Sequence, residues 1–495
     1  MTQTSSYILP SDVIRKKVLD KISLLKGTGI KAKSARAVVA LSIGTFAGRS
    51  MRFVRSMILA RILAPDQIGI MAIVMSFSIA FDALTEVGVK QSIIQNKQGA
   101  DNRYLNVAWW MQVIRALCLY GIAVLSAPFI SSFYGKPELL PLLRVAFLAI
   151  ALRGFVSPRA HVLEKEYKFG RAVFLLQGSA ILGAIISVML ALVMRNVWAL
   201  VIGFVLETSI LCILSFILVP FIPRFEIDRN SLRELMIYAR GMFGLPVLTM
   251  LSFQAPNMVL GKVIATDELG LYSYAALLTF IPIEFYTRII SPVVLPVFSE
   301  KQDNKWALCR GLIQMTRWTA IFIIPLVAFM ACCAGELLLF AYGLQYVAMV
   351  IPLTVLSMNI IARNEAVIFA GIYLAIGRPQ LQRRFAIIRA VSIIGLIYPA
   401  AVRFGPLGAV AVIVFSNFSV LLMQASMARK VINLELKRYM YSYIPGLLMA
   451  LPIIISVGLL RVLGVSSPIF VLSVGLFAAI ITFGGGLFII NRSKP

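Results

Sequence analysis

The chain has 495 residues, of which 60% are hydrophobic and 14% are charged, with a mean hydropathy of +0.90 and a formal net charge of +26. Soluble domains carry about 25% charged residues, so this composition excludes a soluble globular protein. Uniformly apolar runs of about twenty residues follow one another along the chain, which predicts an all-α integral membrane protein and not a barrel of alternating strands.

Residues 1–36 form a polar and basic N-terminus ahead of the first apolar run. Within it, SDVIRKKVLDKISLL (11–25) places its apolar residues on one helical face and its basic residues largely off that face. This pattern predicts a cytoplasmic amphipathic helix on an anionic membrane surface, with a solvated basic tail as the alternative. No cleavable signal peptide is predicted, because its apolar stretch would follow a short basic start directly.

Fourteen membrane-spanning helices are predicted, with ends placed to within about three residues. They cover 37–60, 67–89, 106–130, 138–156, 173–194, 197–220, 237–260, 268–296, 307–332, 348–376, 385–402, 405–428, 441–463 and 467–490. Residues 37–222 and 237–428 form two predicted six-helix lobes, and residues 441–490 form two additional C-terminal spans.

Basic residues in the connections are concentrated on the N-terminal side of the predicted membrane. The opposite side carries only Arg61, Lys136, Arg195, Lys262, Arg403 and Arg461. The positive-inside rule therefore places both termini in the cytoplasm. The positive charge is distributed over many loops and forms no single basic domain, which argues against nucleic-acid binding.

Segments of the first lobe recur in the second. The pairs are RILAPDQIGI (61–70) with KVIATDELGL (262–271), WMQVIR (110–115) with LIQMTR (312–317), and FYGKPELLP (133–141) with AYGLQYVAMVIP (341–352). Each copy contains six predicted spans. Because six is an even number, both copies begin on the same side of the membrane and form a parallel repeat about an axis along the membrane normal. Such a pair of lobes encloses a central cavity that can open to either side. A duplication kept for packing alone is the alternative.

Two stretches carry a resemblance to bacterial polysaccharide flippases. They are ARILAPDQIGIMAIVMSFSIAFDALTEVGVKQSIIQNK (60–97) and PNMVLGKVIATDELGLYSYAALLTFIPIEFYTRIISPVVLPVFSEKQ (256–302). The first contains an L-(A/T)-P-x-x-(F/I)-G turn. The second contains a P-N-x-x-x-G-(K/R) run followed by Pro292, Pro296 and Ser299. The chain resembles the Wzx-like, colanic-acid-type exporter branch of the multidrug/oligosaccharidyl-lipid/polysaccharide exporter superfamily.

This resemblance implies a transporter and not an enzyme. Its substrate would be an oligosaccharide repeat unit on undecaprenyl pyrophosphate, moved from the cytoplasmic to the periplasmic leaflet of the bacterial inner membrane. The product would serve exopolysaccharide, O-antigen or capsule biosynthesis, with a polysaccharide polymerase and co-polymerase as partners. A monomer is expected, because the cavity lies within one chain.

The predicted spans contain arginine but no lysine. The arginines are Arg49, Arg52, Arg55, Arg115, Arg144, Arg153, Arg240, Arg288, Arg317, Arg363 and Arg389. One arginine at a helix centre costs about 2.5–3.5 kcal/mol on insertion scales, so these side chains are expected to face water or an anion. The planar guanidinium also binds phosphate and carboxylate bidentately.

Eight of these arginines are predicted to bind the anionic headgroup or sugars from the central cavity. They are Arg49, Arg52, Arg55, Arg115, Arg240, Arg288, Arg317 and Arg363. Arg49, Arg52 and Arg55 recur every three residues and form a stripe on the first span, which predicts a helix that lines a polar cavity. Arg153 and Arg389 are expected to extend towards the cytoplasmic membrane surface.

Carboxylates in the same spans are Asp82, Glu86, Glu207, Glu284 and Glu365. As structural partners, Asp82 and Glu86 could neutralise two arginines of the first span, and Glu284 could pair with Arg288 four residues later. As functional groups, Asp82, Glu86, Glu284 and Glu365 are the candidates to carry a coupling H⁺ or Na⁺.

Three rival functions are weighed against the flippase. A multidrug exporter of cations should show an excess of acids in its lobes, whereas arginine is in excess here. A membrane polymerase or ligase needs a sizeable outer loop, and none is present. A lipid II type flippase stays compatible with the composition. No cofactor or metal is expected, because His161 is the single histidine and the five cysteines lie in apolar surroundings without ligand spacing.

Overall fold

The structure is a computed structural model that describes residues 30–85, 89–166, 169–226, 228–242, 245–465 and 467–492. The predicted amphipathic segment 11–25 and Glu86 lie outside these residues. Within them all regular secondary structure is helical, which confirms the all-α prediction.

The helices are numbered here in chain order over the described ranges. They are α1 Ile30–Ile62, α2 Pro65–Thr85, α3 Val89–Gln95, α4 Asn102–Tyr134, α5 Leu139–Gly154, α6 Arg159–Lys165, α7 Phe169–Met194, α8 Val197–Leu218, α9 Arg229–Met242, α10 Leu245–Val263, α11 Thr266–Ser299, α12 Lys305–Cys332, α13 Ala334–Ala341, α14 Val350–Ala375, α15 Pro379–Ile432, α16 Leu436–Tyr441, α17 Ile444–Val462 and α18 Pro468–Arg492. A 3₁₀ helix, Leu344–Met349, precedes α14.

Ten helices of the described chain are long and apolar enough to cross a membrane, or eleven if the bent pair α5 and α6 counts as one crossing. The chain is therefore an integral membrane protein, and the number of fourteen spans stays a prediction. Helix α15 counts once among the ten, although Gly405 breaks it with a φ of 55° just before Pro406. A residue with positive φ followed by a proline without an N–H cannot continue a regular helix, and this break falls at the first residue of the predicted span 405–428.

The described part of α9 ends at Met242 and the described part of the apolar helix α10 begins at Leu245, so the start of the predicted span 237–260 stays a prediction. The sequence of α9, RNSLRELMIYARGM, carries its polar residues on one side and its apolar residues on the other. Such a helix buries one face only and is suited to a membrane surface.

The duplicated turns 61–70 and 262–271 contact each other, and they do so reciprocally. A Cβ atom at Gly69 would overlap the carbonyl oxygen of Thr266, and a Cβ atom at Gly270 would overlap the carbonyl oxygen of Pro65. Gly69 and Gly270 occupy the same position of the repeat. The close approach of the two backbones therefore requires glycine on both sides, and we call it the turn contact.

Cationic side chains extend the turn contact, again reciprocally. Lys262 Nζ donates to the Phe133 carbonyl at 2.5 Å, and an Arg61 guanidinium nitrogen donates to the Phe340 carbonyl at 2.6 Å. Phe133 lies in the last turn of α4 and Phe340 in the last turn of α13. Helix C-termini carry unsatisfied carbonyls and partial negative charge, so each repeat supplies a cation to a helix end of the other.

We expect Gly69→Ala to destabilise the protein by about 1–3 kcal/mol, because the added methyl group forces the two backbones of the turn contact apart. Gly121→Ala is the matched control, since nothing lies within 4 Å of a Cβ atom there. Thermal unfolding followed by tryptophan fluorescence in detergent compares the two. An equal midpoint for Gly69→Ala and the wild type would show that the turn contact does not constrain the fold.

Candidate functional site

A cavity of about 1040 Å³ lies between the first and second copies of the repeat, and we call it the central cavity. Its walls come mainly from α1 and α2 on one side and α10 and α11 on the other. The cavity lining reaches Leu59 and Ile68, so the turn contact lies next to it, at the end of α1 away from Ile30. The cavity therefore lies on the interface that two rocking halves would open and close.

Charged side chains occupy one part of the wall. Arg49, Arg52 and Arg55 of α1 and Glu284 and Arg288 of α11 line the cavity. The three α1 side chains are 31%, 37% and 27% exposed, so they are accessible from the cavity without being fully solvated. The stripe recognised in the sequence is thus a wall of the central cavity.

Each of these arginines has a carboxylate partner. Arg49 forms a salt bridge with Glu284, which Arg288 also contacts at 3.1 Å. Arg52 and Arg55 each lie 3.2 Å from an oxygen of Glu207 on α8. Four guanidinium groups therefore share two carboxylates, which leaves the wall with a surplus of positive charge. Anions are attracted to such a surface, and cations are repelled.

Most of the remaining wall is apolar. The apolar side chains include Phe46, Phe53, Met71, Met75, Ile79, Phe204, Leu277, Phe280, Ile281, Phe285 and Ile289. A few uncharged polar groups stand among them, including Gln254, Asn257 and Ser273. Such a cavity can hold a molecule with both an anionic group and an apolar chain, whereas a small free ion would fill little of it.

The pairing predictions had mixed outcomes. The Glu284–Arg288 pair is confirmed. The pairing of Asp82 with the arginines of α1 is wrong, because Asp82 forms its salt bridge with Arg153. Glu207 takes the predicted place of Asp82, although it lies 152 residues beyond Arg55 in the chain. No spacing signal could have identified Glu207. Its only indication was its occurrence as a carboxylate inside an apolar span.

Other predicted site residues lie elsewhere. Arg115 and Arg317 line neither the central cavity nor the second pocket described below. The side chain of Arg240 is outside the described part of the structure, as is Glu86. Arg363 lines a smaller second pocket together with Arg389. The Nε of Arg389 is buried at that pocket although the residue is half-exposed, so its extension to the membrane surface stays a prediction.

Glu365 of α14 is 1% exposed and lies outside both pockets. Its Oε2 accepts hydrogen bonds from Thr316 at 2.9 Å and from Tyr439 at 3.4 Å. Its Oε1 has no partner among the described residues, and no described cation forms a salt bridge with it. A carboxylate with neutral donors alone is costly to ionise in an apolar interior. The arrangement suits a group that holds a proton or a small cation.

The sequence pattern of the polysaccharide biosynthesis protein family matches residues 58–351, which is more than half of the chain. The succinoglycan biosynthesis transport protein ExoT of Rhizobium meliloti is 24% identical over 75% of this chain and 76% of its own length. The lipopolysaccharide biosynthesis protein WzxC of Escherichia coli is 20% identical over 56% of this chain and 55% of its own length.

Solved transporter structures share the fold. The lipid II flippase MurJ, in an inward closed conformation, has a TM-score of 0.72 and 15% identity over 92% of this chain and all of its own. An inward-facing multidrug resistance MATE family transporter has a TM-score of 0.63 and 16% identity over 80% of this chain and 98% of its own. At these identities the likeness shows the fold alone. By its sequence, the chain belongs to the polysaccharide biosynthesis protein family.

Proposed function

We propose that this member of the polysaccharide biosynthesis protein family is a flippase for an oligosaccharide repeat unit linked to undecaprenyl pyrophosphate. It moves the unit from the cytoplasmic to the periplasmic leaflet of the bacterial inner membrane, for exopolysaccharide, O-antigen or capsule biosynthesis. The observation that carries the proposal is the central cavity, where a cationic stripe faces an otherwise apolar wall between two duplicated halves. The relatives ExoT and WzxC are named for succinoglycan transport and lipopolysaccharide biosynthesis, which supports a role in polysaccharide biosynthesis for this chain as well.

The chemistry of the substrate suits this division of the wall. Pyrophosphate is an oxyanion that the guanidinium groups of Arg49, Arg52 and Arg55 can hold in their fork geometry. The lipid chain and the less polar faces of the sugars suit the aromatic and aliphatic side chains. Uncharged polar groups such as Gln254 and Asn257 can hydrogen-bond to sugar hydroxyls.

Alternating access supplies the movement. With the turn contact closed, the cavity takes up substrate from the side of the N-terminus, which the positive-inside rule assigns to the cytoplasm. Opening of the turn contact, with closure at the opposite side, then releases the unit to the periplasm. Arg49 of α1 and Glu284 of α11 belong to different halves, so their salt bridge must rearrange during the cycle.

Coupling to an ion is a further part of this proposal. Among the predicted carriers, Asp82 and Glu284 are paired with arginines, whereas Glu365 has only neutral donors. We assign Glu365 as the group that takes up and releases a coupling proton, with Na⁺ as the alternative ion.

A lipid II flippase is the second candidate, because lipid II carries the same undecaprenyl pyrophosphate and the fold likeness to MurJ covers nearly the whole chain. The multidrug exporter is disfavoured by the surplus of arginine over carboxylate at the cavity wall, since such exporters carry cations.

Deletion of the gene in its own bacterium is expected to abolish a surface polysaccharide and to leave lipid-linked repeat units on the cytoplasmic face. Wild type should restore the polymer. Arg49→Lys with Arg52→Lys should restore it only in part, because lysine keeps the charge but not the bidentate geometry. Arg144→Lys is the control, since Arg144 lines neither pocket.

The measurements are the amount of surface polymer and the accessibility of lipid-linked units to an impermeant reagent. Normal polymer with altered drug sensitivity would contradict the proposal in favour of a multidrug exporter. Loss of viability with stranded lipid II would favour the second candidate.

A further inference from the structure

A second pocket of about 80 Å³ adjoins the central cavity, and we call it the side pocket. It lies among α10, α11, α14 and α15, all in the second half of the chain. Phe253, Asn257, Ser273 and Phe280 line both spaces, so the side pocket lies directly beside the central cavity with these four side chains between them. A group attached to a molecule in the larger space could reach the smaller one if these side chains move aside.

Two arginines face the side pocket without a carboxylate. The Cζ atom of Arg363 lies 4.5 Å from the ring centroid of Phe253, and the Nε of Arg389 is buried without a hydrogen-bond partner. Within the described part of the chain, neither arginine forms a salt bridge. The contrast with the central cavity is clear, because every arginine of that wall shares a glutamate.

The sequence explains why no carboxylate is close. Helices α10 and α15 contain no Asp or Glu at all. The single acid of α14 is Glu365, which contacts Thr316 and Tyr439. The nearest acid along α11 is Glu284, which is held by Arg49 and Arg288. Among the residues that the structure describes, no carboxylate therefore compensates the positive charge of the side pocket.

Polar amides complete the lining. Asn359 and Asn417 are each 7% exposed, and the Oδ1 of Asn359 has no hydrogen-bond partner among the described residues. The two guanidinium groups offer donors and positive charge, which an anionic acceptor completes better than water does. The Oδ1 of Asn359 is an acceptor, so it needs a donor such as a sugar hydroxyl beside that anion.

We propose that the side pocket binds one oxyanion group of the substrate, namely the carboxylate of an acidic sugar such as a uronic acid or a pyruvate ketal. This inference rests on the proposed function and deepens it. A carboxylate at the edge of a sugar is small enough for a space of this size beside the central cavity. The pyrophosphate joins the lipid to the sugar and needs space on both sides, so it belongs in the central cavity. The repeat unit is therefore an acidic one.

The test compares two soluble analogues on the full-length protein in lipid nanodiscs. The probes are farnesyl pyrophosphate-linked glucose and farnesyl pyrophosphate-linked glucuronate, which differ in the carboxylate alone. For wild type we expect at least about tenfold tighter binding of the glucuronate compound. One hydrogen bond between charged groups typically increases affinity by about that factor. Arg363→Gln and Arg389→Gln should each bring that ratio towards one without changing the affinity for the glucose compound. Arg144→Gln should keep the wild-type ratio.

Equal affinity of the wild type for the glucose and glucuronate compounds would overturn the inference. So would a preference for the glucuronate compound that both glutamine variants retain. If the variants bound both compounds more weakly by the same factor, the side pocket would hold the pyrophosphate instead. Failure of both analogues to bind wild type would instead contradict the proposed function itself. The glutamine variants should also keep or raise the thermal midpoint, because each removes a half-buried charge that no described carboxylate pairs with. A lowered midpoint would show that the protein itself satisfies these arginines.

Discussion

Arg49→Gln is expected to weaken binding of farnesyl pyrophosphate about tenfold or more, and Glu284→Gln is expected to strengthen it. The reason is competition for one guanidinium group, because Arg49 and Glu284 form a salt bridge on the wall of the central cavity. Removal of the arginine takes away a charge-assisted contact to the phosphate. Removal of the glutamate frees the arginine and raises the positive charge of the wall.

Titration of the purified variants with farnesyl pyrophosphate measures both effects. A structural salt bridge would give a different result, because both variants would then lower the thermal midpoint and neither would change the affinity. Both variants should also slow transport in reconstituted vesicles, since Arg49 and Glu284 belong to the two halves that must separate and meet again. Arg144→Gln again serves as the control, since its side chain is outside the cavity lining.

Glu365→Gln is expected to abolish transport driven by a proton gradient while leaving the affinity for farnesyl pyrophosphate unchanged. Glutamine has the same shape as the neutral carboxylic acid and cannot release a proton. The site contains only neutral donors, Thr316 and Tyr439, so the substitution leaves no cation unpaired. The residue lies outside both pockets, which is why the affinity should not respond.

Transport into vesicles with and without an imposed pH difference provides the measurement. Glu365→Asp keeps a titratable group and should therefore retain part of the dependence on the proton gradient. Glu300→Gln is the control, because Glu300 lies at an exposed position after α11 and its substitution should leave transport unchanged. Gradient-driven transport at the wild-type rate by Glu365→Gln would contradict the coupling role. Dependence on a Na⁺ gradient in wild type would replace the proton by Na⁺ at the same residue.

Several features followed from the sequence because they depend on local composition. Apolar runs of this length predict membrane helices whatever their packing, and the arginine stripe of Arg49, Arg52 and Arg55 predicts a helix beside a polar space. The repeat of 61–70 in 262–271 predicted two related halves, and in the structure the matched glycines Gly69 and Gly270 contact the opposite turn. The division into lobes at 37–222 and 237–428 itself stays a prediction.

The partners of the charges did not follow from the sequence. Asp82 was the nearest of the predicted intramembrane acids to the stripe along the chain, yet it pairs with Arg153, whereas Arg52 and Arg55 share Glu207. Sequence spacing identified only the pair within one helix, Glu284 with Arg288, because residues four apart on a helix are always neighbours. Partners on different helices depend on which faces pack together, and apolar helices in a membrane offer few sequence signals for that choice.

The sequence alone determined that this protein is helical, membrane-embedded, internally duplicated and unusually rich in intramembrane arginine. Tertiary structure decided which of those arginines are neutralised. Around the central cavity the packing of α8 and α11 brings a carboxylate to each, while Arg363 and Arg389 face the side pocket with none. The physical reason is that charge compensation acts over a few ångströms, and distances of that order between remote helices are set by folding.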